Sequence, residues 1–337
     1  MSVILGLFRL AVALAAAGIG AAAIAAWFGF AVPFFDLFNH FQVLLIAGSL
    51  ILLIVVLVIF VGSSWRWPLA ALLVLGLIAS ALTVVPETMA GMAPRPPLPG
   101  DGRTVLKLMT HNLFGLNYDM ERVAALIARE NPDIIALQEY FPEQRGRLDS
   151  LIRGAYPYSV YCVGGKRANI AIYAKQQFVQ TIDGDCTTDF AKAGRTSHIL
   201  ATFTLAGGAK FAVLTTHFEW PLPPERLQKQ LPTILAAIKR VTVPLIVAGD
   251  FNATPWSYQQ RQFAADTGLT RQTHGILTWP MRFWLKGWRD TLPFIPLDQI
   301  MSRGDVEVHD LHAGAATGSD HLPLFMTFSV PTSPLTP

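Results

Sequence analysis

The sequence predicts an α/β fold of two sheets packed face to face with helices outside, preceded by three transmembrane helices. Charge placement is the first observation behind this. Only 15% of the 337 residues are charged, and before Pro94 these are Arg9, Asp36, Arg66 and Glu87 alone. All but two of the 26 Lys+Arg and all but two of the 23 Asp+Glu therefore follow Pro94. The second observation is that uncharged apolar stretches fill the charge-poor part. The third is that short apolar runs beyond it read as strands, with segments of helical period inserted between some of them.

The apolar stretches cover about 10–35, 41–64 and 67–86. Each reaches the roughly 20 residues that a helix rising ~1.5 Å per residue needs to cross ~30 Å of hydrocarbon. The Ala- and Gly-rich face of 13–26 suits close helix packing. A cleaved signal peptide is the competing reading of the first stretch, because Arg9 precedes an Ala-rich run. Residues 1–88 are thus assigned to the membrane. Residues 89–103, with the Pro/Gly-rich run MAGMAPRPPLPGDG, form a linker. A soluble domain follows over 104–330, with a tail at 331–337. Threading three spans puts Arg9 and Arg66 on one side and the Asp36 loop on the other. The positive-inside rule then places everything after Glu87 outside the cytoplasm. Cys162 and Cys186 are the only cysteines; they are read as buried free thiols, with a disulfide as the alternative in an oxidising compartment.

Within the soluble part, strands are expected at 104–110, 133–137, 158–162, 170–174, 198–205, 211–215, 243–248, 298–301, 306–312 and 322–328. Residues 120–130 form a helix, with Val123, Leu126 and Ile127 at helical spacing before the Asn131-Pro132 stop. Residues 224–240 form another, opened by Pro223 and Pro224.

Short polar strings end most of these strands: His111-Asn112, Gln138-Glu139, Thr216-His217, Gly249-Asp250-Phe251-Asn252, Asp298-Gln299 and Gly318-Ser319-Asp320-His321. A strand that ends in a carboxylate, amide or imidazole delivers that group to one edge of its sheet. The six strings together supply hard oxygen ligands for Mg²⁺ and imidazoles for proton transfer, as in a metal-dependent phosphoester hydrolase. In an extended segment Asp250 and Asn252 share one face. Asp320 and His321, being adjacent, need a turn or bulge to reach one site together.

The order and spacing of these strings resemble the endonuclease/exonuclease/phosphatase superfamily, over about 104–328, and in particular a bacterial membrane-anchored branch. In that branch GDFNATPWS (249–257), Thr-Trp-Pro (278–280) and a Pro-rich stretch after the first His (221–224) recur. The resemblance implies a four-layer α/β/β/α sandwich and Mg²⁺ or Mn²⁺ as cofactor. It implies Glu139 as principal metal ligand, with Asn112 and Asp320 beside the metal. Asp250 would orient and help deprotonate the attacking water, and Asn252 would donate to a phosphoryl oxygen. His321 would contact the phosphate, with Asp298 as its buried partner, and His217 would contact the phosphate or protonate the leaving group. The branch usually carries Asp-His where this chain has Asp298-Gln299. Lys166, Arg167 and Arg195 are candidate phosphate contacts. The implied setting is a multi-pass protein of the bacterial inner membrane, its catalytic domain periplasmic or extracellular.

A net charge of +3 is too small to indicate a nucleic-acid partner. The phosphoester substrate is left open between nucleic acid, a lipid headgroup and a small phosphoester, and the bilayer is the one partner the sequence implies. A catalytically silent membrane-anchored scaffold of the same fold is the reading from another class. In 278–290, Trp279, Phe283, Trp284 and Trp288 lie among Arg282, Lys286 and Arg289. A helical turn would put Trp284 and Trp288 on one face, either at the bilayer interface or as a roof over the cleft.

Overall fold

The computed structural model describes residues 2–164, 167–181, 196–284 and 288–334. They fall into two compact units. One comprises Met1–Met92, Leu222–Pro224 and Ala253–Gln262, the other Ala93–Pro221, Glu225–Asn252 and Phe263–Pro337.

The first unit contains three helices long and apolar enough to cross a membrane: α1 (Ser2–Ala25), α3 (Gln42–Ile59) and α4 (Arg66–Met92). A loop of two 3₁₀ turns and the short α2 (Pro33–Asp36) joins α1 to α3. Small residues let α1 and α4 approach closely, as a small-residue face allows. A Cβ on Gly76 would lie 3.2 Å from the Ala23 Cβ. The first span begins earlier than expected, with Arg9 inside α1, because Ile4, Leu5, Leu7 and Phe8 continue the apolar run on its far side. Likewise α4 runs through Pro86 to Met92, so the start of the expected linker is helical.

The second unit is built on two six-stranded sheets. The first runs in the order β13-β14-β1-β2-β4-β3. Its strands are β1 (Arg103–Asn112), β2 (Ile134–Gln138), β3 (Tyr158–Cys162), β4 (Ile170–Ala174), β13 (Glu307–Ala313) and β14 (Leu324–Pro331). The second runs β5-β6-β7-β8-β12-β9. Here the strands are β5 (Phe178–Thr181), β6 (His198–Thr204), β7 (Lys210–His217), β8 (Leu245–Asp250), β9 (Thr270–Arg271) and β12 (Asp298–Arg303). The sheets pack through alternate side chains such as Leu108, Ile172, Phe203, Val213, Ile246 and Phe328. Their outer faces are covered by helices. On the first sheet α5 (Met120–Glu130) and α6 (Pro142–Ile152) meet Met109, Ile135, Leu137 and Tyr173. On the second, α7 (Pro224–Lys239) and Phe263 of α8 (Tyr258–Thr267) meet Leu214, Val247 and Met301. This is the expected four-layer α/β/β/α arrangement, and it explains why β2 as far as Leu137, and β4, are apolar: both of their faces are buried.

Helices α6 and α8 and strands β5 and β9 go beyond the expected elements. The segment after Trp279 does not take the helical turn that would put Trp284 and Trp288 on one face. It forms a β-hairpin of β10 (Arg282–Trp284) and β11 (Trp288–Asp290), with Trp284 and Trp288 as register partners. A spacing of four satisfies a hairpin register as well as a helical turn. Cys162 is buried and disulfide-bonded, which corrects the expectation of free thiols. Cys186, Lys166 and Arg195 lie outside the described residues.

Candidate active site

Two parallel strand pairs set the site. In the first sheet β1 and β2 run parallel and end together, with Asn112 opposite Gln138. In the second, β7 and β8 run parallel with His217 opposite Asp250, and antiparallel β12 begins with Asp298 opposite the same Asp250. His217, Asp250 and Asp298 are therefore neighbours across three strands before any side chain is considered.

The local sequence explains how Asp250 and Asn252 are aimed. Phe251 between them is fully buried against Phe218, ring centroids 4.9 Å apart, and fixes the opposite face of the segment in the core. Gly249 precedes them because a Cβ there would sit 2.0 Å from the Thr216 carbonyl oxygen of the parallel neighbour. Asp250 Oδ1 accepts from the Asn252 backbone N–H at 2.8 Å, and its Oδ2 accepts from Asn112 Nδ2 at 2.9 Å. Asn252 donates its amide to the Phe218 carbonyl at 2.8 Å and stands 3.1 Å from His217 Nε2.

Glu139 follows β2 with a φ of 51° and turns its carboxylate inward. Oε2 accepts from the Gly115 N–H at 3.0 Å, while Oε1 lies 3.4 Å from Asn112 Nδ2 and 3.9 Å from His217 Nε2. Asn112 thus bridges two carboxylates with its amide nitrogen, while its Oδ1 accepts from the Phe114 N–H at 2.9 Å.

A bend at 318–321 supplies the last pair, as adjacent Asp320 and His321 require. Ser319 stabilises it, donating to the Asn112 carbonyl at 2.7 Å and accepting from the His321 N–H at 3.0 Å. His321 Nδ1 lies 2.8 Å from Asp298 Oδ2, leaving Nε2 3.8 Å from Asp250 and 3.9 Å from Asp320. Trp279 donates its indole N–H to Asp320 at 3.2 Å, a positioning role for which nothing in the Thr-Trp-Pro string gave a signal.

The charges explain one another. Burial alone would lower the pKa of His321, but Asp298 and Asp250 raise it to about 10, so the ring is a cation. Burial likewise acts to raise Asp250, yet His321 and the hydrogen bond from His217 hold it well below the usual carboxylate range. Asp320 is pushed up to about 6, first by burial and then, against His321, by Glu139 and Asp250. Glu139, Asp250 and Asp320 make a surplus of carboxylate that one imidazolium does not neutralise, and their hard oxygens suit a divalent cation. Asp250, Asp298 and His321 also form a compact group whose candidate ligand atoms lie within 4.8 Å of one another. Its Asp298–His321 hydrogen bond, however, already occupies the imidazole Nδ1. Beside the carboxylates opens a cleft of about 430 Å³ lined by Glu139, Phe141, Val163, Arg167, Ala168, Asn169 and His217. Arg167 reaches it while paired to Glu219 at 3.1 Å.

The model of the endonuclease/exonuclease/phosphatase family matches residues 109–321. An endonuclease/exonuclease/phosphatase from Beutenbergia cavernae superposes with a TM-score of 0.53 at 19% identity, covering 69% of this chain and 73% of that one. D. rerio TDP2 complexed with a single-strand DNA product gives 0.51 at 20% identity, over 67% of this chain and 99% of that one. At such identities the likeness is one of fold. A UPF0294 protein of Vibrio vulnificus is 29% identical over 142 residues, 40% of this chain. The chain spans 45% of that curated relative's length.

Proposed function

This chain belongs to the endonuclease/exonuclease/phosphatase family, and from that premise we propose that it is a membrane-anchored, divalent-metal-dependent phosphoester hydrolase. The observation that carries the reading is the meeting of Glu139, Asp250 and Asp320 with the cationic His321 at one end of two sheets. Glu139, Asp320 and the amide of Asn112 are the residues that would hold Mg²⁺ or Mn²⁺. The ion, when bound, would supply a Lewis acid to the phosphoryl oxygens.

The chain's own groups account for the remaining steps. Asp250, kept ionised by His321 and His217, takes the proton of the attacking water. His321 faces the phosphoryl group through Nε2 and offsets the charge that develops there, and Asp298 fixes its tautomer and orientation at Nδ1. His217, whose Nε2 faces the site 3.4 Å from Asp250 and 3.9 Å from Glu139, serves as a second phosphate contact. Substrate enters along the cleft that Phe141 and Arg167 line.

Three helices are long and apolar enough to cross a membrane, and we propose that they anchor the protein in the bacterial inner membrane with the catalytic part outside the cytoplasm. Support comes from the charge pattern and from the grouping of Ala253–Gln262 with the helices and the Asp36 loop in one unit. A disulfide at Cys162 fits an oxidising compartment. Nucleic acid, a lipid headgroup and a small phosphoester are the substrate classes to separate. The test assays the full-length protein with Mg²⁺ against duplex DNA, sphingomyelin and bis-p-nitrophenyl phosphate. Hydrolysis of one of them that EDTA stops supports the proposal. A folded protein inactive on all three with either metal overturns it.

A further inference from the structure

Asp36 is the only acidic residue between α1 and α3, and it is buried, at 4% exposure. A buried carboxylate requires several strong hydrogen bonds to replace its water, and Asp36 has four. Its Oδ2 accepts from the Ser257 hydroxyl at 2.8 Å and the Gln259 N–H at 3.2 Å. Its Oδ1 accepts from the Tyr258 N–H at 2.6 Å and from Asn39 Nδ2 at 2.9 Å. Tyr258 and Gln259 open α8, whose first amides have no partner inside the helix. Ser257 covers the next one, its Oγ lying 3.4 Å from the Gln260 N–H. The start of α8 is therefore capped from a loop more than 200 residues away in sequence, with a negative charge at the positive end of the helix dipole. The same loop holds the preceding residues, since Thr254 donates to the Asn39 carbonyl at 3.3 Å. Arg261 bonds the Trp256 carbonyl from within α8. These residues, Ala253 to Gln259, follow Asp250 and Asn252 in the chain without a break.

The geometry points to Asp36 as a positioning residue for the reaction: by capping α8 it fixes the backbone that immediately follows Asp250-Phe251-Asn252. The membrane region is then part of the working enzyme as well as its tether. The kinetic half of this inference rests on the proposed hydrolase activity.

The test compares full-length parent, Asp36→Ala, Ser257→Ala and the double variant in lipid nanodiscs, by hydrogen exchange and by Mg²⁺-dependent hydrolysis of bis-p-nitrophenyl phosphate. In Asp36→Ala the amides of Tyr258 and Gln259 should exchange at least about tenfold faster. kcat should fall by at least about tenfold with KM within about twofold, since the loss is of alignment and not of substrate contact. Ser257→Ala, which leaves the carboxylate in place, should show a smaller change in both, and adding it to Asp36→Ala should cost little more. Parent-like exchange at Tyr258 and Gln259 in Asp36→Ala overturns the cap. Raised exchange with parent-like kcat overturns the positioning role. Should Asp36→Ala fail to fold, Ser257→Ala decides: parent-like exchange and kcat in that variant overturn the inference. A parent inactive on every phosphoester overturns the hydrolase reading and the positioning role with it, while the exchange result still decides the cap.

Discussion

His321 Nδ1 and Asp298 Oδ2 lie 2.8 Å apart with both side chains buried, and Asp298 is the strand neighbour of Asp250 on β12. One carboxylate thus sets the imidazole from behind while another faces it across the site. Asp298→Asn should lower kcat by on the order of 10²-fold with little change in KM, because the amide orients the ring without supporting its charge. Steady-state kinetics on any accepted phosphoester checks this. Parent-like kcat would remove Asp298 from the mechanism.

Metal dependence is the second expectation. EDTA should abolish hydrolysis, and Mg²⁺ or Mn²⁺ should restore it. Glu139→Gln should raise the metal concentration needed for half-maximal rate, and Asp250→Asn should lower kcat by on the order of 10³-fold. Full activity of a chelated sample, or of the Asp250 variant, would sink the mechanism.

Legibility of the sequence followed local constraint. GDFN was readable because each of its residues answers a separate demand: close strand approach at Gly249, core burial at Phe251, and site-facing polar groups at Asp250 and Asn252. The three long apolar helices were readable from composition alone. Helix α6 was not, because PEQRGRLDSLI buries only Gln144, Leu148 and Ile152 and shows little apolar period. The hairpin of β10 and β11 is not legible in the sequence, because a spacing of four cannot separate it from a helical turn. Asp36 and Trp279 were invisible as contacts of Ser257 and Asp320, since pairings across 221 and 41 residues leave no trace in either local segment.

Gly249→Ala should be among the most damaging single changes in the catalytic unit. Its Cβ would meet the Thr216 oxygen at 2.0 Å, and neither strand can yield without breaking the β7–β8 ladder. A loss of at least ~3 kcal/mol is expected, read as a large fall in Tm or as failure to accumulate. A variant as stable as the parent would mean that the ladder has slack there.

His274 gives a pH dependence of stability away from the site. Burial, then the Arg271 charge 3.0 Å from Nδ1, holds its pKa at about 4 against an ordinary 6.5. As pH falls below 6.5 the unfolded chain takes up a proton that the folded chain refuses, so stability is lost between about 6.5 and about 4. Above 6.5 His274 contributes no slope. His274→Gln should flatten the decline of Tm over that window; an unchanged slope would assign the decline to other groups.

Topology is the last expectation. If α1, α3 and α4 all span, the loop after α1 and the chain after α4 would lie on one side of the bilayer, as the Asp36 bonds to Ser257, Tyr258 and Gln259 require. Arg66, the first residue of α4, would fall on the opposite side, which the positive-inside rule would make cytoplasmic. Alkaline phosphatase, which works only after export, should therefore be active when fused after Pro337. A GFP fusion exported there in unfolded form should be dark. A second phosphatase fusion at Ser63, between α3 and α4, should be inactive. Were the Pro337 reporter dark and the Ser63 reporter active, the catalytic part would be cytoplasmic, and the compartment argument from Cys162 would fall with it.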